Sequence, residues 1–182
     1  MNLDLADLGK RFYTLSRKLH PDNFHRASKA EQVSSLDQSA RLNDAYRTLR
    51  DPVTRAEYLL RLEGEPAEKK GSGVPPELLE EVFELNEWLA ELRAAAPEPA
   101  QSAHRAEVKA QLLRAKANLE KRLETFLADL QALFVRWDQA IASTSPQPEH
   151  ANILDGISKI LAKRKYLQNL VGEISAALER SV

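Results

Sequence analysis

An all-α protein in two helical parts is expected from three features of this chain. Leu5, Leu8, Phe12, Leu15 and Leu19 recur at intervals of three and four, and later stretches repeat that rhythm. The composition is rich in Ala, Leu, Glu, Lys and Arg, which lose little freedom on entering a helix. Only six Gly occur in 182 residues, too few for Gly-rich phosphate loops or the tight turns of an all-β fold.

The first helix opens near Leu5. At about 100° per residue its five apolar positions fall in one stripe, and Lys10, Arg11, Arg17 and Lys18 gather opposite. One face is expected to be buried and a basic one exposed. The helix ends at His20-Pro21, because proline disfavours helical geometry in the residue before it and supplies no N–H. A second helix is expected from about Ser28 to Leu49, with Val33, Leu36, Ala40, Tyr46 and Leu49 as its apolar positions. Asp51-Pro52 breaks it, and Pro52 suits the first turn of a short third helix carrying Ala56, Tyr58, Leu59 and Leu62.

Three Gly and three Pro crowd residues 63–76, which read as a linker. The charge balance changes there too. Residues 1–62 hold 11 basic and 8 acidic side chains, a net of +3; the remaining 15 basic and 19 acidic leave −4. The expected division is therefore 1–62, linker 63–76, and 77–182. The second part should hold three helices: Glu77–Ala95, a long one over Ser102–Ala142, and Ala151–Arg180. Pro97-Glu98-Pro99 and Ser143–Pro148 would interrupt them. Leu112, Ala115, Leu119, Leu123, Phe126, Leu130, Leu133 and Trp137 would line the long helix; Ile153, Ile157, Ile160, Leu167, Val171, Ile174 and Leu178 the last. Short connections and striped helices favour an antiparallel three-helix bundle. At 1.5 Å per residue the central helix would be about 60 Å long and overhang its first neighbour.

Several function classes are excluded or disfavoured. With no Cys there is no disulfide framework, thiolate zinc site, Cys-ligated iron–sulfur cluster or Cys nucleophile. A net charge of −1 gives no global attraction to nucleic acid or anionic membrane, and the one basic face lacks interleaved aromatics. No apolar run approaches the roughly 18 residues of a membrane span, and the start has no basic-then-apolar signal segment. A soluble, cytoplasmic protein is expected. His25 stands five residues from His20 with no third ligand nearby, so no metal is expected. His104 and His150 are isolated and expected at the surface. Neither follows a Glu by three residues, as di-metal carboxylate bundles require. No nucleophile–base set is visible, so the chain is not expected to be an enzyme.

The sharp local signal is His20-Pro21-Asp22. Alone it is weak: by composition roughly one chain in a hundred of this length carries it by chance, usually as a helix-ending turn. A basic face alone is more often simply solvated. Here the tripeptide joins a basic amphipathic helix to an antiparallel helix and a short final one, and this arrangement resembles the J-domain of chaperone co-factors. Leu15–Phe24, Leu42–Leu49 and Arg55–Leu60 resemble one branch in particular, HscB, the co-chaperone of iron–sulfur cluster assembly. The three-helix second part and the total length also fit that branch. The likeness spans essentially the whole chain, through specific motifs in 15–62 and through architecture in 77–182.

The resemblance implies a division of labour. His20, Pro21 and Asp22, with Lys10, Arg11, Arg17 and Lys18, would engage the ATPase domain of a DnaK/HscA-type chaperone and favour ATP hydrolysis there. The co-chaperone itself would bind no ATP and need no cofactor. Two departures stand out. A J-domain has four helices, and the first, expected before Leu3, is absent from this sequence. Asn23 stands where the branch usually has Lys, removing one positive charge.

In the second part, Leu78, Val82, Leu85, Leu89 and Leu92 form a core line, while Leu79 and Phe83 lie about 100–140° away, beside a row of Glu80, Glu84, Glu87 and Glu91. The apolar pair either packs against another element or forms a protein-binding face. By the resemblance, Leu79, Phe83, Glu84, Glu87, Glu91 and Tyr166 would bind the iron–sulfur cluster scaffold protein. The cluster Lys159, Lys163, Arg164 and Lys165 either pairs with carboxylates or is solvated. The alternative function is a J-protein adaptor for another client whose bundle serves dimerisation.

Overall fold

The computed structural model describes residues 1–65, 74–94, 102–143 and 147–181. The expected linker 63–76 and the breaks at 97–99 and 143–148 lie largely outside them. Among the described residues there are six α-helices and no strand: α1 Leu5–Leu19, α2 Lys29–Arg50, α3 Pro52–Leu62, α4 Leu79–Ala94, α5 Ser102–Ala142 and α6 Gln147–Arg180. The architecture is all-α, with a helical hairpin and short third helix leading into a three-helix bundle. Contacts divide the chain into two compact units, one of Met1–Ala67 with Gln131–Leu154, the other of Glu68–Leu130 with Asp155–Val182.

Helix ends follow local chemistry. Asp4 caps α1 by accepting from the amides of Ala6 and Asp7. Ser28 and Glu31 form a reciprocal capping box at the start of α2. Asp51 accepts from the Thr54 amide and Pro52 takes the first helical position of α3. Gly64 ends α3 at φ +77°, with Glu65 N–H on the Leu60 carbonyl and Gly64 N–H on that of Arg61. That is the left-handed closure glycine adopts without a Cβ penalty.

In the first unit the buried apolar residues are Ala56, Leu59 and Leu60 of α3 with Phe134, Trp137, Ala140, Ile153 and Leu154. Tyr58 and Leu62 of α3 are exposed instead. The expectation that α1 buries one face is not met, since none of its residues is buried and Leu5 and Leu15 are 53% and 43% exposed. Its stripe is wider than its hairpin partner α2 covers. Phe12 stacks on Tyr46 at 4.1 Å and is half-buried. The inner edge of α2 also differs from expectation. It runs through Gln32, Ser35, Ser39, Leu42, Tyr46 and Leu49 at alternating spacings of three and four, while Val33, Leu36 and Ala40 are exposed.

In the second unit Leu78, Val82, Leu85, Leu89 and Leu92 pack with Val108, Leu112, Leu119, Leu167, Leu170, Ile174 and Ala177. On α5 the buried position is Phe134 rather than the expected Leu133, which is half-buried. Leu154, Leu161, Leu170 and Ala177 are also buried on α6, beyond the expected line. A core helix with two neighbours buries more than one stripe. The last helix begins at Gln147, not Ala151, because a proline in the first turn loses nothing: its missing N–H would have had no partner. His150 is not at the surface either. Its ring lies 5.3 Å from that of Trp137, and its Nε2 is buried without a hydrogen-bond partner among the described residues.

Candidate functional site

The His-Pro-Asp loop is built from a broken helix. His20 leaves α1 in an extended conformation (φ −59°, ψ 130°), and Pro21–Phe24 make one 3₁₀ turn. Ending a helix strands its last carbonyls, and three side chains collect them. Ser35 and Ser39 of α2 each donate a hydroxyl to the Leu19 carbonyl at 2.8 Å. Asn23 donates its amide to the Arg17 carbonyl at 2.6 Å. The residue that departs from the branch pattern thus clamps the loop to its own helix.

These bonds set the directions of His20 and Asp22. Asp22 N–H donates to His20 Nδ1 at 3.3 Å, and the Asp22 carboxylate lies 3.4 Å from the same nitrogen. His25 Nδ1–H donates to the Asp22 carbonyl at 2.7 Å. Gln32 ties the loop to α2 through the carbonyls of His25 and Ala27. The His20 and Asp22 side chains nevertheless stay 55% and 87% exposed. Fixed backbone and open functional groups suit recognition rather than packing. Hydrogen bonds from Ser28 hold the Glu31 carboxyl below its ordinary range.

Beside the loop, Lys10, Arg11, Arg17 and Lys18 are all exposed. Arg11 is engaged by Asp7 at 2.7 Å. Arg17 and Lys18 line a surface depression of about 440 Å³ with Tyr13 and Thr14. Sequence reasoning passed over Tyr13, which is 69% exposed among these cations. Its place off the apolar stripe was the available signal.

In the other unit, α4 turns its core line inward and leaves Leu79 and Phe83 54% and 65% exposed. Of the two options the sequence left open, the pair lies in water rather than packed. Glu84, Glu87 and Glu91 are exposed, with Glu91 3.5 Å from His104 Nε2. Two ion pairs orient α4: Arg122 to Glu81 at 2.5 Å and Lys163 to Glu77 at 3.4 Å. Its own amide and Lys163 hold the Glu77 carboxyl below its usual range. Sequence analysis missed both staples, although Glu77 and Glu81 stand four apart on either side of Leu78. Lys159 meets Asp155, Lys163 meets Glu77 and Arg164 lies over Phe126, so this basic run is largely paired.

Tyr166 lies three residues after Lys163 on α6, half-buried against the core of this unit. Burial, aided by Glu173, pushes its phenol above the ordinary value. Among the described residues no three His, Asp or Glu side chains gather to hold a metal ion, and no helix is long and apolar enough to cross a membrane.

No protein-family model matches the chain. Curated relatives do. A "Co-chaperone protein HscB homolog" is 40% identical over 123 residues in both a classical Ogawa and an El Tor Inaba strain of Vibrio cholerae, covering 66% of this chain and 72% of theirs. The same protein of a third Vibrio cholerae strain is 39% identical over the same length. Among solved structures, the chain is similar to "Chaperone HscB from Vibrio cholerae", with a TM-score of 0.54 and 27% identity. That match covers all of this chain and 92% of the other.

Proposed function

The chain belongs to the HscB family of co-chaperones, and we propose that its His20-Pro21-Asp22 loop stimulates the ATPase of a DnaK/HscA-type chaperone while its α4 face delivers an iron–sulfur cluster scaffold protein. The observation that carries this is the Asp22 carboxylate, 87% exposed on a loop gripped from below by Ser35, Ser39 and Asn23. An exposed carboxylate on a rigid base accepts a charge-assisted hydrogen bond from a partner Arg or Lys and loses little entropy doing so. Lys10, Arg11, Arg17 and Lys18 steer the loop toward an acidic partner surface and fix its register.

The scaffold contact uses Leu79 and Phe83 as apolar anchors, with Glu84, Glu87 and Glu91 as a charged rim and Tyr166 at the edge. The Glu77–Lys163 pair draws the start of α4 toward the turn of α6 that carries Tyr166. In this scheme residues 1–62 face the chaperone, 77–182 face the scaffold and 63–76 join them.

Steady-state ATP hydrolysis by an HscA-type chaperone tests the scheme, with and without this protein and with Asp22→Asn. Stimulation that Asp22→Asn abolishes is the expected result. No stimulation by the parent, or undiminished stimulation by the variant, overturns the chaperone role. Adding scaffold protein tests the second half: Leu79→Ser with Phe83→Ser should lose the extra stimulation that scaffold provides and keep the scaffold-free rate.

A further inference from the structure

Far along α4 from the Leu79–Phe83 pair, the second unit gathers positive charge for which the co-chaperone scheme has no use. A cavity of about 280 Å³ is lined by Leu92, Arg93, Arg105, Ala177, Arg180 and Ser181. Of its described lining residues three are arginines, and none of those described is acidic. Lys109 adds a fourth cation close by, donating to the Ser181 carbonyl at 2.8 Å, where Arg105 Nη2 also donates at 3.1 Å.

Part of this charge serves the helix ends. Arg93 and Arg180 lie in the last turns of α4 and α6, where cations offset the negative end of the dipole. Arg180 Nε returns to the Ala176 carbonyl, and the Ser181 carbonyl takes two donors. Capping does not account for all of it. Each of the two helix C-termini carries about half a negative charge, against four full positive ones. Arg105 and Lys109 sit near the start of their own helix, where a cation is disfavoured and an anion favoured. Finally, Arg105 Nε is buried without a hydrogen-bond partner among the described residues. A buried guanidinium donor lacking an acceptor is rare.

We infer that this cavity binds a phosphate group. A tetrahedral oxyanion supplies several acceptor oxygens at once, and guanidinium groups match it through paired N–H donors. Arg93 and Arg105 are the primary ligands. Arg180 and Lys109 remain tied to backbone carbonyls and contribute charge. The group is either free phosphate or the terminal phosphate of a nucleotide.

Titration of the full chain with inorganic phosphate tests this, at constant ionic strength with chloride as the balancing anion. The readout is the arginine Nε–H region of the NMR spectrum. A saturating shift of the Arg105 Nε–H is expected. Arg93→Gln should weaken binding about tenfold or more, since a charge-assisted hydrogen bond is lost. Among the described residues Arg93 makes no hydrogen bond that holds a helix end, so this variant should melt with the parent in chloride. Arg105→Gln should abolish binding. A parallel titration with ADP separates the sources: tighter saturation indicates a nucleotide-borne group, equal or weaker saturation free phosphate. Shifts that grow linearly with anion, or that ignore Arg93→Gln, overturn the inference.

Discussion

The Ser35 hydroxyl reaches from α2 to donate to the Leu19 carbonyl at 2.8 Å, and it is the one buried side chain of its helix. A serine here does what a leucine could not. The carbonyl it meets belongs to a helix cut short by Pro21, and burying that group without a donor would cost about 1–3 kcal/mol. The hairpin is therefore held at its loop end by hydrogen bonds and, from the middle of α1, by the Phe12–Tyr46 stack. The candidate functional loop sits on the polar end.

Ser35→Ala is expected to destabilise the chain by about 1 kcal/mol, because Ser39 still serves the same carbonyl. Ser35→Ala with Ser39→Ala should cost more than the sum of the two single changes, since only the pair leaves the carbonyl bare. Urea unfolding of the four proteins measures the coupling. Strict additivity would show that the two hydroxyls do not share the job. In the chaperone assay the double variant should lose stimulation at concentrations where it is still folded.

Acid should loosen the start of α2. Ser28 holds the Glu31 carboxyl below its ordinary value of 4.5, so the folded chain binds fewer protons there than the unfolded chain. That contribution is complete above about 4.5 and fades as pH falls through the lower folded value. Glu31→Gln keeps the shape and cannot titrate. Its stability should therefore change less than the parent's between pH 5 and pH 3, in about the range where carboxylates titrate. Parallel pH profiles of the two would refute this view of the cap.

The helices were legible because their signals are local. Pro21 and Pro52 break the chain, Ser28 and Asp51 cap it, and the long stripe from Leu112 to Trp137 runs at helical period. The loop tripeptide and the position of Leu79 and Phe83 off the core line were legible for the same reason, each departing from a short pattern; that the pair meets water rather than a neighbour takes the fold to show. What remained hidden depends on neighbours. Ser35 and Ser39 read as polar surface until the Leu19 carbonyl stands opposite them. Glu77 and Glu81 read as part of an acidic helix until Lys163 and Arg122 arrive from 86 and 41 residues away. His150 read as isolated because Trp137 meets it only from the preceding helix, 13 residues away.

Phe83 offers a clean separation of binding from folding. It is 65% exposed, so Phe83→Ala should change stability by less than about 0.5 kcal/mol. If it anchors a partner, the same change should weaken scaffold binding by about 2 kcal/mol, some thirtyfold. Phe134→Ala is the contrasting control: its ring is fully buried and its loss should cost about 3–5 kcal/mol. Calorimetric titration beside thermal unfolding reads both. A Phe83→Ala protein that binds like the parent would remove α4 from the scaffold contact.

Arg55 is buried, yet only part of its charge is met. Its Nη1 donates to the Leu49 carbonyl at 2.8 Å and the guanidinium lies 5.2 Å from the Phe134 ring centre, but its Nε is buried without a partner among the described residues. Burial pulls the group below its ordinary value, against the opposing pull of Asp51 and Asp138. The planar, weakly hydrated guanidinium tolerates such a site because it stacks on an aromatic face; a compact ammonium does not. Arg55→Lys should therefore destabilise by about 1–3 kcal/mol, the range for a buried charge that loses its hydrogen bond. Arg55→Met keeps the volume and discards the charge, and replacement of a buried charge by a well-packed apolar residue is often near neutral. The methionine variant is expected to be the more stable of the two. Denaturant midpoints measured at equal m-value decide the order, and the reverse ranking would mean that the carboxylates of Asp51 and Asp138 need the positive charge more than the core resists it.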